Sequence, residues 1–87
     1  MKRQIYIGCD QEGSAVIVDP VGASSIRGSV TGIARTVFEM IDEGYSPVYV
    51  NDESGMRIDE YHGMVVLPLK AEQAKEFRSR GLSPEIQ

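Results

Sequence analysis

Residues 24–43, Ser-Ser-Ile-Arg-Gly-Ser-Val-Thr-Gly-Ile-Ala-Arg-Thr-Val-Phe-Glu-Met-Ile-Asp-Glu, carry the strongest periodic signal in the chain. Ile26, Val30, Ile33, Val37 and Ile41 recur three and four residues apart, with Ala34 and Phe38 alongside. On a helix this spacing gathers the large apolar groups on one side and leaves Arg35, Glu39 and Asp42 on the other. A helix with a single apolar stripe must lie on another element, so the flanking chain has to supply that surface. Ser24, Ser25 and Ser29 can each cap the first turn by accepting from its free N–H groups. Gly28 and Gly32 each cost about 1 kcal/mol relative to alanine inside a helix. The regular helix is therefore expected to start near Ser29, with a looser turn before it. At the far end Gly44 suits a left-handed C′ position, and Pro47 cannot continue the helix.

The flanks read as strands. Gln4–Cys9 and Ala15–Asp19 are rich in β-branched residues and enclose the turn residues Asp10-Gln-Glu-Gly13, a hairpin signal that Pro20 ends. Pro47–Asn51 reads as a further strand. The polar turn Asn51-Asp-Glu-Ser-Gly55 then leads into Met56–Tyr61, which alternates with period two, and this makes a second hairpin. His62-Gly63 marks a turn or bulge before the apolar run Met64–Leu67. Lys70–Arg80 holds good helix formers with a thin apolar face of Ala71, Ala74 and Phe77. Gly81 fits its C′ position, Leu82 can fold back onto the helix, and residues 83–87 read as a tail. The order β-β-α-β-β-(β)-α implies one small α+β domain. In it an antiparallel sheet of four to five strands, from two hairpins, packs on the central amphipathic helix, with a short C-terminal helix.

Size and charge narrow the function. A chain of 87 residues, 41% hydrophobic and 25% charged, folds as a single domain with a thin core and little room for a deep pocket. That favours a module acting through its surface over an enzyme. The net charge of −4 opposes non-specific nucleic-acid binding, which depends on neutralising phosphates. One cysteine, Cys9, excludes an internal disulfide and a cysteine-based zinc site. The N-terminal residues spell neither a signal peptide nor a membrane span, so a cytoplasmic setting and no membrane partner are expected.

Several groups of residues have the types that chemistry requires. Gly22–Gly32 holds hydroxyls, glycines and Arg27 before a helix start, which suits an anion, but it has neither P-loop nor dinucleotide spacing. As a cradle over Ser24–Thr31 it would bind phosphate or a nucleotide; as a plain connection it only caps the helix. Cys9 and His62 would form a thiol–imidazole pair if the fold joined them. Asp10 with Glu12, Asp52 with Glu53, and Asp59 with Glu60 pair carboxylates without the pattern of a calcium loop. No cofactor, metal or catalytic set is expected from these residues.

Charge patterning is the most informative feature. From Glu39 to Glu60 there are seven acids against Arg57 alone, whereas Lys70, Lys75, Arg78 and Arg80 oppose Glu72 and Glu76 in the last helix. An acidic face of Asp42, Glu43, Asp52, Glu53, Asp59 and Glu60, with Tyr61 beside it, suits a protein partner with a basic surface. The expectation is a non-enzymatic regulator or inhibitor of a larger protein, one that handles nucleic acid being a natural target. An anti-defence protein encoded by a virus is one concrete form. One alternative is a nucleic-acid-binding regulator using Lys70, Lys75, Arg78 and Arg80; a second is a small phosphate- or nucleotide-binding protein or enzyme using the Ser/Gly-rich helix start. A thin closing helix and open sheet edges also allow a homodimer.

Overall fold

The computed structural model of the chain describes residues 3–51, 56–58 and 64–84. In chain order the elements are β1 (Arg3–Cys9), β2 (Ala15–Asp19), β3 (Ser24–Gly28), α1 (Val30–Asp42), β4 (Tyr45–Tyr49), β5 (Met56–Ile58), β6 (Met64–Val66) and α2 (Ala71–Ser79). The fold is α+β: a four-stranded sheet in the order β3-β2-β1-β4 with α1 packed on it, a separate β5–β6 pair, and a short C-terminal helix.

Two buried aspartates build the turns of the β1-β2-β3 meander. The Oδ1 of Asp10 accepts from the N–H groups of Glu12 (3.0 Å) and Ser14 (2.8 Å), and Gly13 takes the left-handed backbone (φ 93°) that the turn needs. The Oδ1 of Asp19 accepts from Val21 N–H (3.2 Å) and Gly22 N–H (3.1 Å), which reverses the chain from β2 into β3.

The segment expected to be a loose first helical turn is therefore a strand. Ser24–Gly28 is extended and pairs antiparallel with β2, with Ile26 opposite Ile17. The helical stripe and the alternation of a strand share Ile26 as their only large apolar residue there, so the sequence fits both. The turn anchored by Asp19 and the ladder with β2 decide between them. The helix starts where its cap does: Ser29 Oγ accepts from Gly32 N–H at 3.2 Å.

The sheet is mixed rather than wholly antiparallel. β1 pairs antiparallel with β2 but parallel with β4, because α1 carries the chain back over the sheet before β4 begins. Gly44 (φ 100°) ends α1 as expected. At the end of α2, Gly81 (φ 92°) donates to Arg78 O (3.0 Å) and Leu82 N–H to Phe77 O (3.1 Å), the paired bonds of a Schellman motif.

The two faces of the sheet are covered differently. On one face Ile5, Ile7, Ala15 and Ile17 meet Ile33, Ala34 and Val37 of α1, Phe77 of α2 and Leu82. On the other, Val16 and Val18 join Val50 and Val66. β6 reaches that second face through an antiparallel bridge from Leu67 to Cys9, with Cys9 N–H on Leu67 O at 2.9 Å and Leu67 N–H on Cys9 O at 2.7 Å. Gly8 makes the approach feasible, since a Cβ there would lie 2.5 Å from both Leu67 O and a Val66 methyl carbon. α2 is fixed at its start by Gln73, which accepts from Lys70 N–H (2.9 Å) and donates to Gly13 O (2.9 Å). Of the tail expected over 83–87, Pro84 is fully buried, so the packed chain extends at least that far.

Candidate partner-binding groove

The apolar stripe of α1 is wider than the surface beneath it. Ile33, Ala34 and Val37 are buried, while Phe38 and Ile41 on the margin stay 41% and 36% exposed. They overhang the β4 edge and, with Pro47, Val48, Tyr49 and Leu82, line an open groove of about 590 Å³. Gln4 and Ser83 add polar groups to its lining. Glu39, Asp42 and Glu43 are exposed toward the same end of the helix, though none of them lines the groove.

Tyr49 is the unusual lining residue. Its ring meets Phe77 edge-on (centroids 6.2 Å apart, planes at 61°), and its hydroxyl is buried without a hydrogen-bond partner among the described residues. Burial pushes the phenol pKa up to about 12, so it stays protonated and holds an unused donor. Pro47, with no N–H to offer, interrupts β4 as an edge for further strand pairing. Side chains, rather than main chain, therefore dominate what this edge presents.

On the other side of Phe38 a smaller depression of about 400 Å³ is lined by Thr31, Ala34, Arg35, Phe38 and Arg80. Here Arg80 donates to Thr31 Oγ1 (2.8 Å) and pairs with Glu76 (3.4 Å). Phe38 thus lines two depressions, one largely apolar and one flanked by Arg35 and Arg80.

The structure places the residues expected from sequence as follows. Asp42 and Glu43 are exposed at the end of α1. Asp52, Glu53, Asp59, Glu60 and Tyr61 lie outside the described residues, as does His62. Lys70, Lys75, Arg78 and Arg80 are all exposed, yet they do not make one stripe. At about 100° per residue Arg78 and Arg80 fall on opposite flanks of α2, and Arg80 is turned onto α1 by Thr31. The Ser24–Thr31 cradle does not gather round the helix start, because Ser24–Gly28 is strand and the Ser29 hydroxyl is taken by Gly32. Cys9 is buried, its thiol donating to Asp10 O at 3.4 Å.

Of the carboxylate pairs, Asp10 and Glu12 share Arg27 (3.3 and 3.1 Å), and Asp10 is buried by its turn. Burial works to raise the Asp10 pKa, but the Ser14 N–H, the Arg27 guanidinium and the Glu12 N–H outweigh it and hold the group below its ordinary value. At Asp19 burial is likewise outweighed by the Gly22 N–H and by Arg3, 2.6 Å away, whose guanidinium also lies over the Tyr45 ring. Both aspartates are fully engaged in structure. Among the described residues no group of three or more His, Cys, Asp or Glu side chains could hold a metal ion, and no helix is long and apolar enough to cross a membrane.

Phe38 and Ile41 escaped the sequence reading because a helical period marks both as core. The available signal was the width of the stripe, with seven apolar positions set over a sheet of short strands. Compared with protein-family models, curated protein sequences and solved structures, the chain matches none.

Proposed function

We propose that the chain is a non-catalytic protein-binding module, a regulator or inhibitor of a larger protein, and that the groove at the end of α1 is its contact. One observation carries this reading: Phe38 and Ile41 stand exposed over an apolar groove at the end of α1, the helix whose last turns also expose Glu39, Asp42 and Glu43. Apolar anchors surrounded by charge are the usual anatomy of a protein contact, with the anchors giving affinity and the charges giving orientation and rate. The matching partner offers an apolar side chain flanked by lysine or arginine. Proteins that handle nucleic acid expose such basic surfaces, and one of these is the target class.

The test is capture from an extract of the cells that express the chain, with a nuclease-treated duplicate. A protein captured in both arms should weaken about 30-fold or more with Phe38→Ser, as for a central anchor. Asp42→Lys with Glu43→Lys should slow its association and remove the salt dependence. Capture unaffected by either change would sink the reading. Recovery of nucleic acid that disappears with nuclease would transfer the function to Lys75 and Arg78 of α2.

A further inference from the structure

The two edges of the four-stranded sheet are not alike. β4 carries Pro47 in its middle and lies under the overhang of α1. β3 has no proline, all five of its residues are exposed, and it ends the sheet with one whole side of its backbone unpaired among the described residues. Soluble proteins ordinarily blunt such an edge with proline, lysine or a bulge, because it templates pairing with another strand. Of such devices β3 has only the charge of Arg27, and it keeps Ile26 at 47% exposure on the helix-bearing face, with Val21 at 71% in the turn before it.

We infer that β3 is the dimer interface of the chain, pairing antiparallel with β3 of a second copy about a two-fold axis at Ile26. The composition of the strand is what selects a second copy. In that register Ile26 meets Ile26, Ser25 meets Arg27 and Ser24 meets Gly28, so the large apolar residue is central and no like charges are directly opposed. Arg27 is the residue that could disrupt such pairing. Its guanidinium is instead drawn back over its own subunit by Asp10 at 3.3 Å and Glu12 at 3.1 Å. At Gly28 the chain itself leaves open space, since a Cβ there would meet nothing of its own chain within 4 Å. The result is one continuous sheet across both copies, with Ile26 and its copy covering each other on the helix side. The β4 grooves then lie at the two outer ends, so the dimer is independent of what those grooves bind.

Sedimentation equilibrium of the whole chain, from micromolar to millimolar concentration, tests this. The expected result is a monomer–dimer equilibrium, with Ile26→Glu raising the dissociation constant about 100-fold or more through opposed like charges while the circular dichroism is unchanged. A second variant is independent of that substitution's effect on folding. Ile26→Cys should form an intermolecular disulfide under mild oxidation, because directly opposed Cα atoms about 4.5 to 5.5 Å apart are within the span of one. Cys9 is buried and leaves the parent chain uncross-linked. A chain that stays monomeric at millimolar concentration overturns the proposal. So does a dimer that survives Ile26→Glu with the fold intact, or a folded Ile26→Cys protein that does not cross-link.

Discussion

The two faces of the sheet solve one problem by different means. The helix-bearing face is filled by volume, with isoleucines, Phe77 and the α1 stripe interlocked. The reverse face is closed by proximity: small valines, and a glycine that lets the backbone of Leu67 approach β1 directly. A chain too short for two helical layers can thus cover a sheet twice. The faces should then differ in what they tolerate, the first being sensitive to atoms removed and the second to atoms added.

The largest effect is expected on the filled face. Phe77→Ala removes the only fully buried aromatic among the described residues and should cost about 3 to 5 kcal/mol in urea unfolding. That is much of the stability of a chain this size. Gly8→Ala should cost about 3 kcal/mol for a single added carbon, because a backbone oxygen cannot step aside. Ile7→Val, which removes one carbon from the filled face, should cost only about 1 kcal/mol. If those two costs were reversed, the contrast between the faces would be broken.

The aspartate turns sharpen the comparison, because β2 contributes to both faces and Asp10 and Asp19 hold its two ends. Their folded-state pKa values lie below the ordinary carboxyl value. The stability they lend is therefore complete above the unfolded value of about 3.9 and is lost as pH falls through the lower folded-state values. Both faces should loosen together in acid, read as one falling urea midpoint. Asp19→Ala should cost about 2 to 3 kcal/mol at neutral pH, by leaving the Val21 and Gly22 N–H groups and Arg3 without their acceptor. It should also flatten the acid response. The smallest effect is Tyr49→Phe. Removing a buried hydroxyl that has no partner among the described residues should be neutral or stabilise by up to about 1 kcal/mol. A clear loss would mean that the hydroxyl has a partner after all.

Much of this architecture was legible. Ser29, Gly44 and Gly81 announced the helix boundaries, and the β-branched runs announced β1 and β2, because caps and alternation are local properties. β3 was not legible: Ser-Ser-Ile-Arg-Gly has one large apolar residue, and one residue cannot distinguish a period of two from a helical one. The parallel partner of β1 was hidden for a different reason, since strand order is set by where α1 returns the chain rather than by the residues of β4. The acids at the end of α1 were visible as charge. The groove under Phe38 and Ile41 was not, since it depends on how much of a stripe the sheet can cover.

The central position of β1 has a consequence for the order in which the molecule assembles. β2 and β3 follow β1 through short turns, so the meander closes with little loop entropy and can form early. The other side of β1 must wait until α1 has been made and β4 has returned beside Arg3–Ile7. Until then the newly synthesised chain exposes two open strand edges rather than one. The helix that later overhangs the groove is thus also the element whose arrival ends the interval in which a half-built sheet is most prone to misassociation.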